Sequence, residues 1–221
     1  LVYLGLFVII AWTAGVKKRW FLLALVLGVA AVIIVWPHVP GYIQGRFTVV
    51  IDHITGNPDT YVEQTQGRGW QQTRSILAIG SGGLFGQGYL QGTQTQSASE
   101  EALPARHTDE IFAVCGEEFG MVGCILVILL LTAIILRCVW VARRANSPMA
   151  AYVAMGYAAM LLLQTVINIG MCLYVFPVVG LTLPFFSSGG SSIITLYACM
   201  GIVSGIKMRS LPSWLRDRSQ L

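Results

Sequence analysis

Five apolar runs, separated by polar and basic stretches, give the chain its main pattern. A helix needs about 20 apolar residues to cross the hydrocarbon core of a bilayer, so runs near this length predict membrane spans. The predicted spans cover residues 1–16, 20–36, 119–136, 149–176 and 191–206. We expect the third helix to begin before its apolar run, near Thr108. The chain opens inside an apolar run, so we expect the first span to be truncated and further sequence to precede it.

Residues 177–190 interrupt the apolar pattern without adding charge. The segment reads PVVGLTLPFFSSGG, with two prolines and three glycines among apolar side chains. Pro removes a backbone donor and Gly loosens the backbone, so neither suits the interior of a helix. Non-helical backbone at membrane depth is tolerated only where it is buried against protein or lines a cavity. We therefore predict a re-entrant or interfacial loop at 177–190 and not a continuous spanning helix.

Composition supports a membrane protein. Charged residues make up 11% and hydrophobic residues 55% of the 221 residues, whereas a soluble domain carries about 25% charged residues. Residues 145–206 contain no charged side chain. The predicted fold class is an all-α polytopic membrane protein with about five transmembrane helices, as a single membrane domain over residues 1–221. No nucleic-acid partner is expected.

The basic residues indicate how the chain lies in the membrane. Ten of the fourteen lysines and arginines lie at span ends that return to one face: Lys17, Lys18, Arg19, Arg137, Arg143, Arg144, Lys207, Arg209, Arg216 and Arg218. Cytoplasmic loops are enriched in Lys and Arg, so we assign this face to the cytoplasm. Residues 37–108 are then predicted to form a large extracytoplasmic loop.

Acidic residues concentrate in one window, where we expect the chemistry. Nine of the ten aspartates and glutamates lie within residues 52–118. A carboxylate is costly in hydrocarbon, so acids gather near water and reacting groups. Within this window Asp109 stands beside Arg106 and His107. Counted at about 1.5 Å per helical residue, Asp109 would stand about 15 Å above the apolar run that begins at Phe119, near the headgroups.

Structural roles compete with chemistry at these positions. Thr108 can cap the third helix, whose positive N-terminus also suits Asp109 and Glu110. His107 is a candidate proton-active neighbour of Asp109. A His-x-Asp spacing alone is not a metal motif, so no metal ligands are predicted.

Structural and chemical roles also compete at positions that follow in the sequence. Glu117 and Glu118 can pair with loop arginines at the membrane edge or face a substrate. Gln164 and Asn168, four residues apart in the fourth span, are expected to form hydrogen bonds between helices.

A glycine-rich segment, GSGGLFGQG at 80–88, is a candidate ligand-binding turn. Glycines let the backbone approach a ligand closely and expose N–H donors. The spacing matches neither GxGxxG nor GK[ST], so a nucleotide site is not indicated. The alternative is a bend in an interfacial helix and loop.

Together these motifs resemble the FtsW/RodA/SpoVE family of bacterial shape, elongation, division and sporulation proteins. The resemblance rests on AIGSGGLFGQG at 78–88, GTQ at 92–94, LPARHTDEIFAV at 103–114, GEEFGMVG at 116–123 and FPVVGLTLPFFSSGGSS at 176–192. The chain departs from the family's pattern at Arg74, Ala105 and Ser188. The resemblance covers essentially the whole chain. It implies the last five of ten spans, in a multi-pass protein of the bacterial plasma membrane.

The resemblance also implies an activity, the polymerisation of lipid II into peptidoglycan glycan strands. The implied partners are a class B penicillin-binding transpeptidase and other elongasome or divisome membrane proteins. Asp109 aligns with the acid at the family's active site. In this reaction the 4-hydroxyl of one lipid-linked disaccharide attacks the anomeric carbon of another and expels lipid pyrophosphate. It needs a base for the hydroxyl and positive charge for the leaving group.

We expect Asp109 to be the catalytic base. The candidate substrate-binding residues are Arg46, Arg68, Arg74, Gly80, Ser81, Gly82, Gly83, Arg106, His107, Thr108, Glu117, Glu118 and Ser191. No covalently bound cofactor is expected. A divalent cation, Mg²⁺ or Mn²⁺, is a further candidate because pyrophosphate and carboxylates are hard oxygen ligands.

Two alternative functions stay open. A flippase for lipid II would need polar or charged residues along a path across the bilayer, and the predicted spans carry almost none. A non-enzymatic scaffold would only dock the transpeptidase.

Overall fold

The computed structural model describes residues 2–56, 66–97 and 103–210. Seven α-helices lie in this part of the chain: α1 Val2–Thr13, α2 Lys18–Val35, α3 Gly41–Thr55, α4 Trp70–Gly82, α5 Ile111–Arg143, α6 Pro148–Cys172 and α7 Gly190–Arg209. A short 3-10 helix, Trp36–His38, follows α2. Arg216, Arg218 and parts of the predicted 37–108 loop lie outside the described residues.

The all-helical fold class is confirmed. Among the described residues, four segments are long and apolar enough to span a membrane: Lys18–His38, Ile111–Arg143, Pro148–Cys172 and Gly190–Arg209. The first predicted span is the shorter apolar helix α1. The chain is thus an integral membrane protein.

The core lies where α5, α6 and α7 meet. Buried side chains from all three helices form one apolar cluster, in which the Tyr157 hydroxyl donates to the Leu196 carbonyl at 2.9 Å. A second cluster joins α5 to Cys172 at the end of α6 and to Leu183 in the 177–190 segment. In contrast, α2 has no buried residue, so its apolar surface faces outward along its whole length.

The segment after α6 is non-helical as far as Gly189, as its prolines and glycines predict. Its centre is nevertheless buried, because Leu183 is only 1% exposed. Residues 177–189, which we call the proline–glycine loop, therefore pack against protein, and their depth in the bilayer stays a prediction.

Helix α5 is interrupted at Gly120, whose φ of 67° and ψ of −163° are not helical. The interruption frees backbone groups, and the loop after α4 pairs with them. Four backbone hydrogen bonds form: Met121 N to Gly83 O (2.9 Å), Val122 N to Leu84 O (3.2 Å), Gln87 N to Glu117 O (2.9 Å) and Gly88 N to Glu118 O (3.0 Å). Because buried backbone groups need partners, α4 and its following loop stabilise the break.

Candidate functional site

A turn at residues 103–110, which we call the acidic turn, leads into α5. The helix begins at Ile111, and Glu110 is its N-cap residue without a side-chain capping bond. The Thr108 hydroxyl donates to the Ala105 carbonyl at 3.3 Å instead. The expectation that Thr108 caps the helix is wrong, whereas Asp109 and Glu110 do lie at its N-terminus. The helix begins two residues after Asp109, so the height of Asp109 above the apolar run stays a prediction.

The proline–glycine loop lies directly against the acidic turn. The Ser187 hydroxyl donates to the Thr108 carbonyl at 2.5 Å. Both the backbone N–H and the hydroxyl of Ser188 donate to the His107 carbonyl, at 2.8 and 2.6 Å. Residues about 80 apart in sequence thus form one polar surface, in which His107 and Ser188 are exposed.

Asn168 of α6 connects the acidic turn to the proline–glycine loop. Its Nδ2 group donates to the Asp109 carbonyl at 2.8 Å and to the Leu181 carbonyl at 2.6 Å, and the residue is fully buried. A hydrogen bond between helices was predicted for Asn168, and its contacts with these two segments were not predicted. An amide inside an uncharged span was the available signal.

The Asp109 side chain faces the proline–glycine loop. A Cβ placed on Gly180 would lie 3.5 Å from Asp109 Oδ2, and the φ of Gly180 is +68°. A side chain at this position would therefore have a strained backbone, and its Cβ would lie in van der Waals contact with the carboxylate. Partial burial raises the pKa of Asp109 above its ordinary value. The carboxylate is half-buried, so one side remains open to a ligand.

Glu110 differs from its neighbour because it is only 1% exposed. Burial raises its pKa to about 7, the Asp109 charge adds to this, and the polar side chains of Ser75 and Gln71 offset part of it. Its Oε2 atom is buried without a hydrogen-bond partner of good geometry. Glu110 therefore lies beneath the surface that Asp109 reaches.

Two of the four candidate arginines bind backbone carbonyls beside this surface. Arg46 of α3 donates to the Val178 carbonyl at 2.8 Å. Arg106 donates to the Thr95 carbonyl. The other two lie against helices: Arg68 covers Gly45 of α3, and the Arg74 guanidinium is 5.9 Å from the centre of the Trp70 ring.

The glycine-rich segment divides between packing and open surface. Gly82 is buried, and a Cβ there would overlap the Gly116 carbonyl, so it serves the contact between α4 and α5. Gly80 and Gly83 face open space within 4 Å. Ser81 donates to the Ala78 carbonyl at 2.8 Å and accepts from Gln87 at 3.0 Å. Residues 80–88 therefore form the bend after a helix that was predicted as the alternative to a ligand-binding turn. Gly80 and Gly83 are nevertheless accessible.

Glu117 and Glu118 are buried, at 0% and 4% exposed. Their described hydrogen-bond partners are backbone N–H, hydroxyl and amide groups of residues 93–96. The described contacts thus include neither the loop arginines nor a surface open to substrate. Ser191 is exposed in the first turn of α7, and its carbonyl accepts from Thr195 at 2.9 Å.

The described residues contain no group of three or more His, Cys, Asp or Glu side chains placed to hold a metal ion. A divalent cation stays a prediction, because Mg²⁺ is usually held by one or two carboxylates together with substrate phosphates and water.

Comparison with known proteins identifies similar chains. The FTSW_RODA_SPOVE family model, described as cell cycle protein, matches residues 1–211. The peptidoglycan glycosyltransferase MrdB of Escherichia coli K12 is 39% identical over 203 residues, covering 91% of this chain and 51% of MrdB. Stage V sporulation protein E of Bacillus subtilis is 37% identical over 148 residues, covering 67% of this chain and 39% of that protein.

A solved structure is also similar. Its title is "Structural coordination of polymerization and crosslinking by a peptidoglycan synthase complex", and it matches with a TM-score of 0.72 and 27% identity. The match covers 96% of this chain and 55% of the solved chain. This chain therefore spans about half the length of the relatives that it matches.

Proposed function

The chain belongs to the FtsW/RodA/SpoVE family, and from this membership we propose that it forms part of a peptidoglycan glycosyltransferase acting on lipid II. The proposal rests on the surroundings of Asp109. A half-buried carboxylate lies where the acidic turn meets the proline–glycine loop, and Arg46 and Arg106 bind carbonyls on those same or adjoining segments.

The proposed reaction joins two lipid-linked disaccharides. Asp109 takes the proton from the acceptor 4-hydroxyl while that oxygen forms a bond to the donor's anomeric carbon. The bond from this carbon to the pyrophosphate oxygen breaks, and the lipid pyrophosphate leaves with the electron pair. The raised pKa of Asp109 makes its carboxylate a stronger base than an exposed aspartate, which favours proton transfer.

The departing pyrophosphate needs positive charge. We propose Arg46 and Arg106 for this role, because a guanidinium carries five N–H donors and each of these arginines has one described hydrogen bond to a backbone carbonyl. Donors already oriented by the protein stabilise developing negative charge without reorganising during the reaction. His107, Thr108 and Ser188 would contact the sugars or phosphates from the exposed surface.

An apolar groove of about 450 Å³ offers a place for the lipid chain of the substrate. The end of α4, the α5 interruption and the end of α6 line it, with Ile79, Gly80, Leu84, Phe112, Met121 and Ile169 among its residues. Phe112 follows Asp109 by three residues, so the groove adjoins the proposed reacting site. The accessible Gly80 and Gly83 would then contact the substrate through its hydrocarbon chain.

Replacing the proposed base tests the function. In the full-length gene product, Asp109→Asn should lower glycan-strand formation from labelled lipid II by about 10²–10⁴-fold, the usual contribution of a general base. Asp52→Asn on α3 is the matched control and should retain activity. Thermal unfolding in detergent should be similar for both variants. Polymerisation by Asp109→Asn within a few-fold of wild type would exclude Asp109 as the base.

The proposed partner is a class B penicillin-binding transpeptidase in an elongation or division complex. The similar solved structure supports this, since its title describes polymerisation coordinated with crosslinking. Co-purification of the tagged full-length protein with each such transpeptidase of the host tests it. The divalent cation also stays a proposal, and activity after chelation, with Mg²⁺ or Mn²⁺ added back, tests that.

A further inference from the structure

Glu117 and Glu118 form an acidic pair in α5 that the proposed chemistry does not use. Glu117 is 0% exposed and Glu118 4% exposed, so neither touches a substrate at the surface. A buried carboxyl group is costly unless its oxygens are hydrogen-bonded. The identity of their partners therefore indicates what the pair holds in place.

Within the described part of the chain, the hydrogen-bond partners of both glutamate side chains belong to residues 93–96, which we call the threonine turn. Glu117 accepts from Thr93 Oγ1 (3.2 Å), Gln94 N (2.7 Å) and Thr95 N (2.9 Å). Glu118 accepts from Thr95 Oγ1 (3.3 Å) and Gln96 Nε2 (3.0 Å). Both oxygens of Glu117 are occupied, and two of its three donors are backbone N–H groups. Glu117 therefore sets the path of the main chain, whereas Glu118 contacts side chains alone.

Thr95 is where this arrangement meets the proposed site. It is 1% exposed, its N–H and hydroxyl are bound by the two glutamates, and its carbonyl accepts from Arg106. The position of that carbonyl follows from the backbone that Glu117 holds. A second contact supports the same junction, because Leu103 N donates to Gln94 O at 3.3 Å.

We propose that Glu117 is a positioning residue, which holds the Arg106 guanidinium in place for the leaving pyrophosphate through the backbone of Thr95. The inference rests on the proposed function, since it assigns Glu117 a role in that reaction. Glu117 would act without contacting the substrate, and Arg106 would contact it.

A double-mutant cycle distinguishes positioning from general stabilisation, because residues that act through one another are not additive. In the full-length protein, Glu117→Gln keeps the side-chain volume but replaces an acceptor with a donor facing bound N–H groups. We expect it to lower kcat/KM for lipid II by about tenfold, because a displaced Arg106 would stabilise the leaving pyrophosphate less well. In an Arg106→Ala background, we expect Glu117→Gln to lower kcat/KM by less than about twofold.

Gly92→Ala tests the same geometry without changing charge. An added Cβ would overlap Thr95 Oγ1 and lie 2.8 Å from Glu117 Oε2, so it should displace the threonine turn. We expect Gly92→Ala also to lose its effect when Arg106 is alanine. Gly205→Ala in α7 is the matched control, because a Cβ there meets nothing within 4 Å.

Measuring thermal stability together with activity distinguishes a positioning role from a structural one. An equal fold-loss from Glu117→Gln with and without Arg106 overturns the positioning role and leaves the proposed function intact. Full activity of Arg106→Ala overturns the role of Arg106 and with it this inference, whereas Asp109→Asn tests the reaction independently. Failure of both Glu117→Gln and Gly92→Ala to fold, with Glu118→Gln folded, would assign Glu117 a purely structural role.

Discussion

Asp109 and Glu110 are adjacent carboxyl groups in unlike surroundings. Asp109 is half-buried beside Gly180, and Glu110 is buried beneath it with one oxygen unpartnered. The pKa of both is raised by burial, to about 7 for Glu110. A neutral Glu110 would leave Asp109 as the one negative charge of the pair. The difference in burial therefore distinguishes the proposed base, Asp109, from the buried Glu110.

The buried Glu110 predicts a pH-dependent stability. Its ordinary pKa of 4.5 rises to about 7 in the fold, so between these values the folded protein keeps a proton that the unfolded chain releases. The stabilisation is complete below the unfolded pKa and is lost as pH rises through the folded pKa. We expect the Tm in detergent to fall from about pH 5 to about pH 8, equivalent to up to about 3 kcal/mol.

Glu110→Gln should remove most of that fall, because the amide does not titrate. It should raise stability at about pH 8 and have little effect near pH 5. A Glu110→Gln protein that keeps the full pH slope would show that another group is responsible.

At this scale the sequence indicated the position of the proposed base but not the residues that hold it in place. The RHTDE motif led to Asp109 through charge and resemblance. Asn168, Ser187 and Ser188 were not predicted to hold the acidic turn, because their bonds join residues 59 to 81 apart and bind main-chain carbonyls. Every residue has a main-chain carbonyl, so the pattern of side chains does not show which carbonyl will accept a hydrogen bond.

Among the elements, the contact between α4 and α5 holds the glycine-rich segment against the interrupted helix. Gly82 and Gly86 allow the α4 end and its loop to approach the backbone of α5, and the Gly120 interruption supplies the groups that they bind. The glycine-rich sequence thus serves a helix–helix contact as well as an open surface. Periodicity could predict α5 as a span but not its interruption, since one glycine in an apolar run is common in membrane helices.

This contact predicts opposite outcomes for two glycines of one helix. Alanine favours helix by about 1 kcal/mol over glycine, but overpacking a close contact costs about 1–3 kcal/mol. Gly82→Ala would overlap the Gly116 carbonyl, so we expect a lower Tm and poorer accumulation. Gly80→Ala meets open space and is the matched control, with an unchanged or higher Tm. Equal stability of the two variants would contradict the described contact.

Across the whole molecule, the acidic turn and a cluster of three arginines (Arg137, Arg143 and Arg144) lie at opposite ends of α5. Arg137 and Arg144 each approach the Trp140 ring to 4.3 Å near the end of α5 opposite the acidic turn. Basic and aromatic side chains of this kind anchor a helix end at a membrane interface. The order of the four described span candidates and of the apolar helix α1 followed from hydropathy alone. The helices α3 and α4 within residues 37–108 were not predicted, because they are too short and too polar to form an apolar run.

The assigned sidedness can be measured directly. We expect Gln91→Cys, an exposed position in the predicted extracytoplasmic loop, to react with a membrane-impermeant maleimide on intact spheroplasts. Lys207→Cys at the end of α7 is the matched control and should react only after permeabilisation. Reversal of these two labelling patterns would refute the topology.

The hydrogen bonds that hold the acidic turn have a consequence for which substitutions the protein can accept. Asn168, Ser187 and Ser188 contact the acidic turn through the main-chain carbonyls of residues 107–109, so they recognise the shape of the turn and not its side chains. New side chains can be tried at His107, Thr108 and Asp109 without removing these hydrogen bonds. The side chains proposed for the reaction and the residues that hold the turn are thus different, so each set can be altered while the other is kept.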